Sequence, residues 1–307
     1  MTGGTVACTE LGTGTRRSLL RSMLVARGID EEATLLQKQG VVDLWLSCRG
    51  QEAAQVGSAF GAGSDSVVFP SYREHAVALV RGVRPEELVA QWAGRTLCGW
   101  RPRELRFFPY TLVLAAQTLH AVGYALGRRL SGHAELVLVY VGDGATSEGD
   151  MSEALNLAAV ESAPVLFLCQ NNGWAISKPV AEQMATTLAA RAGGFGIRAA
   201  RVDGGDPEIV HRATALAAES VRRTGRPYLL EMKVDRMLGH STADAQQLYR
   251  DADDMERAEA ADPVAAYTAR LLDERVVDRE WLDTVAAEVA HARRELARRY
   301  QSRRDQC

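Results

Sequence analysis

Two short polar stretches carry residue types suited to holding a charged ligand. Asp143 stands between Gly142 and Gly144 just after the apolar run 136–141, and Asn172 stands in Asn171-Asn172-Gly173 just after a second apolar run, 165–169. If each run is a strand and 150–162 is the helix between them, a right-handed crossover brings Asp143 and Asn172 to the same carboxyl edge of a sheet, where they can share one ligand. Gly142 and Gly144 let the backbone approach a phosphate closely, and amides at the start of the following helix can face that anion. Mg²⁺ takes near-octahedral oxygen ligands and keeps phosphate oxygens and water among them. Asp143 offers a carboxylate, Asn172 an amide oxygen and Trp174 a backbone carbonyl. Taken alone, Gly-Asp-Gly is an ordinary strand-to-loop turn and Asn-Asn-Gly is equally unspecific.

The elements that must position these residues read as an α/β fold, a parallel sheet with helices on both faces. Leu19, Leu20, Met23, Leu24, Leu35 and Leu36 recur at helical spacing over 16–39, ending near Gly40. Shorter helices are expected at 51–60, 73–81 and 86–95, the last opening with Pro85 in its first turn. A further helix, 114–130, carries Ala115, Ala116, Ala121, Gly123, Ala125 and Gly127 on one side, suited to close packing on a sheet. Strands at 136–141, 165–169, 197–202 and 228–234 alternate with helices at 150–162, 181–192 and 206–223. Continuous apolar strands of this kind belong to a sheet covered on both faces. Residues 235–262 are polar and read as a long loop, a frequent home of functional residues. From about 263 the chain is helical again, with Trp281, Val285, Val289 and Leu296 forming an apolar line on a charged helix whose basic side is a solvated face. The expected organisation is one ligand-binding α/β domain with an N-terminal helical segment, residues 1–265, and a helical extension packed on it, residues 266–307.

Composition narrows the function classes. The 307 residues are 47% hydrophobic and 24% charged, with a net charge of -3, so nucleic acid and anionic membranes are not expected partners. Five scattered cysteines, Cys8, Cys48, Cys98, Cys169 and Cys307, form no CxxC pair and point away from a disulfide framework or a zinc site. The polar N-terminus lacks the apolar stretch of a signal peptide, and a soluble, cytoplasmic protein is expected. A dinucleotide-binding reading of residues 11–17, LGTGTRR, lacks a preceding strand.

With Asn172 lying 29 positions after Asp143, the pair looks like the thiamine-diphosphate fingerprint. GDGATSEGDMSEALNLAA with NNGWAIS resembles more specifically the alpha subunit of the decarboxylating component of 2-oxo acid dehydrogenase complexes, of the branched-chain or pyruvate type. The resemblance continues through QKQG and GQEAAQVGSAF (37–60), SYREHAVALVRG (71–82), AAQTLHAVGYALG (115–127), RVDGGD (201–206) and GHSTADAQQLYR (239–250). It implies a thiamine-diphosphate-binding fold with thiamine diphosphate and Mg²⁺ as cofactors. By the match, Asp143, Asn172 and the Trp174 carbonyl hold the metal, while Gly144 and Ala145 line the diphosphate. Tyr72 and Arg73 fall on a Tyr-Arg pair whose arginine contacts phosphate, Leu114 on the residue that props the bent cofactor, and His240 on a catalytic histidine at the reaction centre. Without the match, Arg73 reads as a surface helix residue, Leu114 as a core leucine and His240 as an exposed loop histidine. Arg236, Ser241, Asp244, Tyr249 and Arg250 match positions that order the loop.

The resemblance also implies a beta-type subunit that grips the aminopyrimidine, an assembly of two alpha and two beta chains, a 2-oxo acid donor, and onward transfer of the acyl group to a lipoyl domain. Departures lie on the substrate side. Residues 96–110 contain no histidine where the family carries one, and Thr111, Leu112, Val113 and Ala116 replace a polar set that binds potassium in branched-chain enzymes, so that site is expected to be lost. Leu119 stands for a proline, Asp235 for a tyrosine, and Gln170 for an arginine. These differences leave open a transketolase-like or carboligating half-enzyme that delivers its unit to an acyl carrier protein or a carbonyl acceptor, and a subunit that only stabilises its partner.

Overall fold

The structure, a computed structural model, describes residues 10–133 and 135–301. Cys8, Cys307 and the polar N-terminal stretch 1–9 lie outside the described residues. Among the described residues there are seven strands: β1 (Val67–Phe69), β2 (Val137–Gly142), β3 (Val165–Asn171), β4 (Trp174–Ala175), β5 (Lys178–Pro179), β6 (Arg198–Asp203) and β7 (Tyr228–Lys233). Five of them form a parallel sheet in the order β1-β2-β3-β7-β6, while β4 and β5 make a small antiparallel hairpin.

The unbroken apolar strands follow from two cores, because successive side chains of a strand point to opposite faces. On one face Leu138, Tyr140, Leu166, Leu168, Leu230 and Met232 pack under helices Glu52–Ala62 and Pro207–Thr224. On the other, Val137, Val139, Val141, Phe167 and Leu229 meet Ala121 and Val122 of helix Ala116–Leu130, Met151 and Leu155 of Gly149–Glu161, and Leu188 of Leu188–Gly194. The α/β architecture with both faces covered is the one the sequence implied. Glu52–Ala62 and Pro207–Thr224 approach so closely that a Cβ on Gly61 would sit 2.4 Å from the His211 carbonyl oxygen, so glycine is what the contact admits.

Helix Thr13–Lys38 packs against the last described helices. Its Leu19, Leu20, Met23 and Ala26 pack with Val264, Tyr267 and Leu271 of helix Pro263–Asp273 and with Val276 and Val277. Its residue Arg27 donates to Glu52 at 2.5 Å and to both oxygens of Asp262 at 2.8 and 2.9 Å. On the last helix, Arg279–Gln301, Val285 and Leu296 are buried, and Val289 lies where a Cβ on Gly28 would collide with it.

Several elements differ from expectation. Strand β1 had no strand signal because it is a three-residue edge strand, yet its pairing with β2 carries the chain to residues 71–73. The helix expected at 181–192 divides into a 3-10 turn, Val180–Glu182, and a helix that starts only after Thr187, whose hydroxyl accepts from the Ala190 amide at 3.2 Å. The region 235–262 is not all loop: a 3-10 turn spans Gln246–Leu248 and a helix spans Ala252–Ala260, capped by Asp251 accepting from the Asp254 amide at 2.7 Å. Only Ala258 is buried in that helix, so apolar periodicity could not announce it. Among the described residues no helix is long and apolar enough to cross a membrane.

Candidate active site

The carboxyl ends of β1, β2, β3 and β7 open on one cavity of about 340 Å³. From β1 the chain delivers Ser71, Tyr72 and Arg73; from β2, Asp143, Gly144 and Ala145; from β3, Gln170, Asn172 and, through the hairpin, Trp174; beyond β7, His240. Leu114 enters from the turn before helix Ala116–Leu130. All nine residues singled out from the sequence therefore line the same space, although they span positions 72 to 240. Parallel strands put this together because each one ends on the same side.

Asp143 lies at the floor and is fully buried. Its Oδ1 accepts from the Asn172 amide at 3.2 Å, its carbonyl accepts from the Thr146 hydroxyl at 2.7 Å, and its Oδ2 has no partner among the described residues. Burial pushes its carboxyl up to about 6, with backbone donors at Asn172 and Gly144 and the charge of Arg236 opposing the shift. Asn172 Oδ1 accepts from the Trp174 amide at 3.2 Å, which folds 172–174 tightly above Asp143. A Cβ on Gly144 would sit 2.7 Å from Ala175 Cβ, so glycine admits the hairpin at this edge. A buried, orphaned carboxylate oxygen beside an amide oxygen and a carbonyl is a donor set that fits a hard divalent cation. Among the described residues no group of three or more His, Cys, Asp or Glu could hold a metal, so such a cation would depend on the neutral oxygens.

Arg73 is buried rather than on a helix surface, and it ties two segments together. It donates to the Ser47 carbonyl at 2.5 Å and to the His240 carbonyl at 2.9 Å. Tyr72 meets the His240 ring edge-on at 6.0 Å. Burial, with the charges of Arg73 and Arg236, lowers the His240 imidazole to about 4, so the ring is neutral near pH 7. Its loop is held by Asp244, which accepts from the His240 amide at 2.5 Å and from the Tyr249 hydroxyl, and by Arg236, which donates to Tyr249 at 2.8 Å and to the Ile176 carbonyl at 2.9 Å. Leu114 is 42% exposed at the rim, not a core leucine.

Other lining residues carried no chemical signal of their own in the sequence: Gln51, Leu44, Leu46, Glu74 and Ile176. Glu74 is fully buried, accepting from Ser71 at 2.8 Å and from Gln170 Nε2 at 2.6 Å, and burial raises its carboxyl. Gln170, where the family resemblance led one to look for arginine, thus serves a buried acid with an amide.

The strand ends of this α/β sheet thus gather an orphaned acid, an amide oxygen, a buried arginine and a neutral histidine around one cavity. The chain belongs to the dehydrogenase E1 component family, whose model matches residues 20–304. It is similar to the 3-methyl-2-oxobutanoate dehydrogenase subunit alpha of Mycobacterium tuberculosis, 39% identical over 288 residues, covering 94% of this chain and 78% of that one. It is also similar to the 2-oxoisovalerate dehydrogenase subunit alpha of Bacillus subtilis, 35% identical with 88% and 86% covered, and to the pyruvate dehydrogenase E1 component subunit alpha of Bacillus cereus, 32% identical with 86% and 72% covered. The chain is an alpha subunit of a thiamine-dependent 2-oxo acid dehydrogenase, as the sequence motifs implied. That role implies a beta subunit as partner.

Proposed function

We propose that this chain binds the diphosphate of thiamine diphosphate and Mg²⁺, and that with its beta subunit it decarboxylates a short branched 2-oxo acid and passes on the acyl group. The observation that carries the reading is the Asp143 oxygen, buried and without a partner at the strand edge where Asn172 also ends. In this reading Asp143, Asn172 and the Trp174 carbonyl hold the metal. Gly144 and Ala145 give the diphosphate room and backbone donors, and Tyr72 and Arg73 close over it. When bound, thiamine diphosphate supplies the carbanion that attacks the ketone carbon and the ring that takes up electrons as CO₂ leaves.

The chain's own residues do the rest. Leu114 props the cofactor from the rim, and Leu44 and Leu46 give an apolar wall that suits a branched aliphatic side chain. Neutral His240 accepts or returns a proton at the reaction centre as the acyl group leaves. The extension from 266 belongs to the same domain, a reading supported by the packing of residues up to 301 on helix Thr13–Lys38. The assembly proposed is two alpha and two beta chains, and the acceptor a lipoyl group on another protein.

The test is calorimetric titration of thiamine diphosphate with Mg²⁺ into the chain co-purified with its beta-type partner, followed by CO₂ release from 3-methyl-2-oxobutanoate and from pyruvate. Wild type should bind and release CO₂ faster from the branched acid, and Asp143→Ala should lose binding by at least about a hundredfold, as removal of a metal-ligating carboxylate does. Equal cofactor binding in wild type and mutant would sink the site assignment.

A further inference from the structure

Three glutamines line the cavity, Gln51, Gln117 and Gln170, and all are buried. Two have their amide nitrogens committed: Gln117 Nε2 donates to the Tyr140 carbonyl at 2.8 Å and Gln170 Nε2 to Glu74 at 2.6 Å. Ser71 spends its hydroxyl on Glu74, and Arg73 donates to two carbonyls. Gln51 differs from these. It is 1% exposed, and its Nε2 meets no acceptor among the described residues.

The backbone beneath it is fixed. Gln51 occupies the N-cap position of helix Glu52–Ala62, its amide donates to the Cys48 carbonyl at 2.9 Å, and the next residue, Glu52, is clamped by Arg27 and the Gly50 amide. The preceding segment lines the cavity with Leu44 and Leu46, which offer no side-chain acceptor. A rooted, buried donor without a protein partner is stabilised only by an acceptor that enters the cavity.

We infer that Gln51 is a specificity-determining residue whose side-chain amide donates to an oxygen of the 2-oxo acid. The inference rests on the function proposed above. A 2-oxo acid carries a carboxylate beside its ketone, and a neutral amide would bind such an oxygen without adding a charge to a site proposed to hold a diphosphate and a cation.

The test uses the complex with the beta subunit and two variants of unchanged length, Gln51→Met and Gln51→Glu. Three quantities are read: kcat and KM for 3-methyl-2-oxobutanoate, calorimetric Kd for thiamine diphosphate with Mg²⁺, and Kd for the phosphinate analogue of the same acid, which cannot lose CO₂. Loss of one buried hydrogen bond should raise KM and the phosphinate Kd about tenfold to a hundredfold in Gln51→Met, with kcat and cofactor Kd within about twofold. Gln51→Glu should raise both further, because an anion then faces an anion. Unchanged KM and phosphinate Kd in an active Gln51→Met complex overturn the inference, as does a loss confined to cofactor Kd, which gives the donor to the diphosphate. A wild-type complex that binds cofactor but neither consumes the acid nor binds the phosphinate overturns the functional reading itself, and the substrate assigned to Gln51 with it.

Discussion

At the residue scale the site turns on Asp143, a carboxyl placed where water cannot reach one of its oxygens. Burial raises it from the usual carboxylate range to about 6, so in the absence of a cation the folded state holds its proton more tightly than the unfolded one does. Its contribution to stability is therefore present at low pH and is lost as pH rises from about 4 through about 6. A divalent cation binds the ionised form, so linkage runs the other way for the ligand. Mg²⁺-dependent cofactor affinity should be level above about pH 6.5 and should weaken by roughly tenfold per pH unit below 6, since one proton competes with the metal. Calorimetry at pH 5, 6 and 7 reads this directly, and a flat profile would show that Asp143 does not ligate. His240, lowered to about 4, stays neutral across that window and adds no second step.

At the scale of elements, the loop after β7 is tied to the sheet edge mainly by polar contacts. Asp244 receives the His240 amide and the Tyr249 hydroxyl, Arg250 donates to the Arg236 carbonyl at 2.6 Å, and the Thr242 amide reaches the Trp45 carbonyl at 3.0 Å. These ties are polar, and the Tyr249 ring adds one aromatic contact to Trp174, so the loop should open locally before the sheet does. Asp244→Ala removes two of the ties. It should speed amide exchange across 237–250 and lower kcat by at least about tenfold through misplacement of His240, leaving β2 and β3 protected. Exchange that rises equally in the strands would mean that the mutation unfolds the domain instead. Asp30 backs the same arrangement from the N-terminal helix: its carboxylate accepts from the Trp45 indole at 3.0 Å and the Cys48 amide at 2.9 Å, fixing the segment to which both Arg73 and the loop are bound.

At the scale of the whole molecule, the cavity opens beside exposed apolar side chains. Leu112, Val113, Leu114 and Ile176 stand at or beside its rim with 54%, 70%, 42% and 54% of their surfaces exposed. A beta subunit seated at this edge would cover these four exposed apolar side chains. Val113→Asp should leave the melting temperature of the isolated chain within about 2 °C, because the side chain makes little contact, and should weaken binding of the beta subunit by at least about tenfold. Unaltered assembly, measured by analytical ultracentrifugation, would move the interface elsewhere.

The sequence by itself determined the local structure: the two-sided apolar strands were legible because each depends on neighbours a few residues away, whereas Asp143, Asn172 and His240 stood out only through the resemblance of their surroundings to a known family. The helix boundaries came through where apolar spacing was strong, as in Thr13–Lys38 and Pro207–Thr224. Strand β1 did not, being three residues long and defined by its pairing with β2, and neither did helix Ala252–Ala260, whose face is almost wholly solvated. Only the tertiary structure decided that Arg73 is buried between Ser47 and His240, that Glu74 rests on Gln170, and that Gln51 alone among the cavity glutamines keeps a free donor. Those facts arise from contacts between segments distant in the chain, and a glutamine in sequence carries no sign of whether an acceptor will be folded against it.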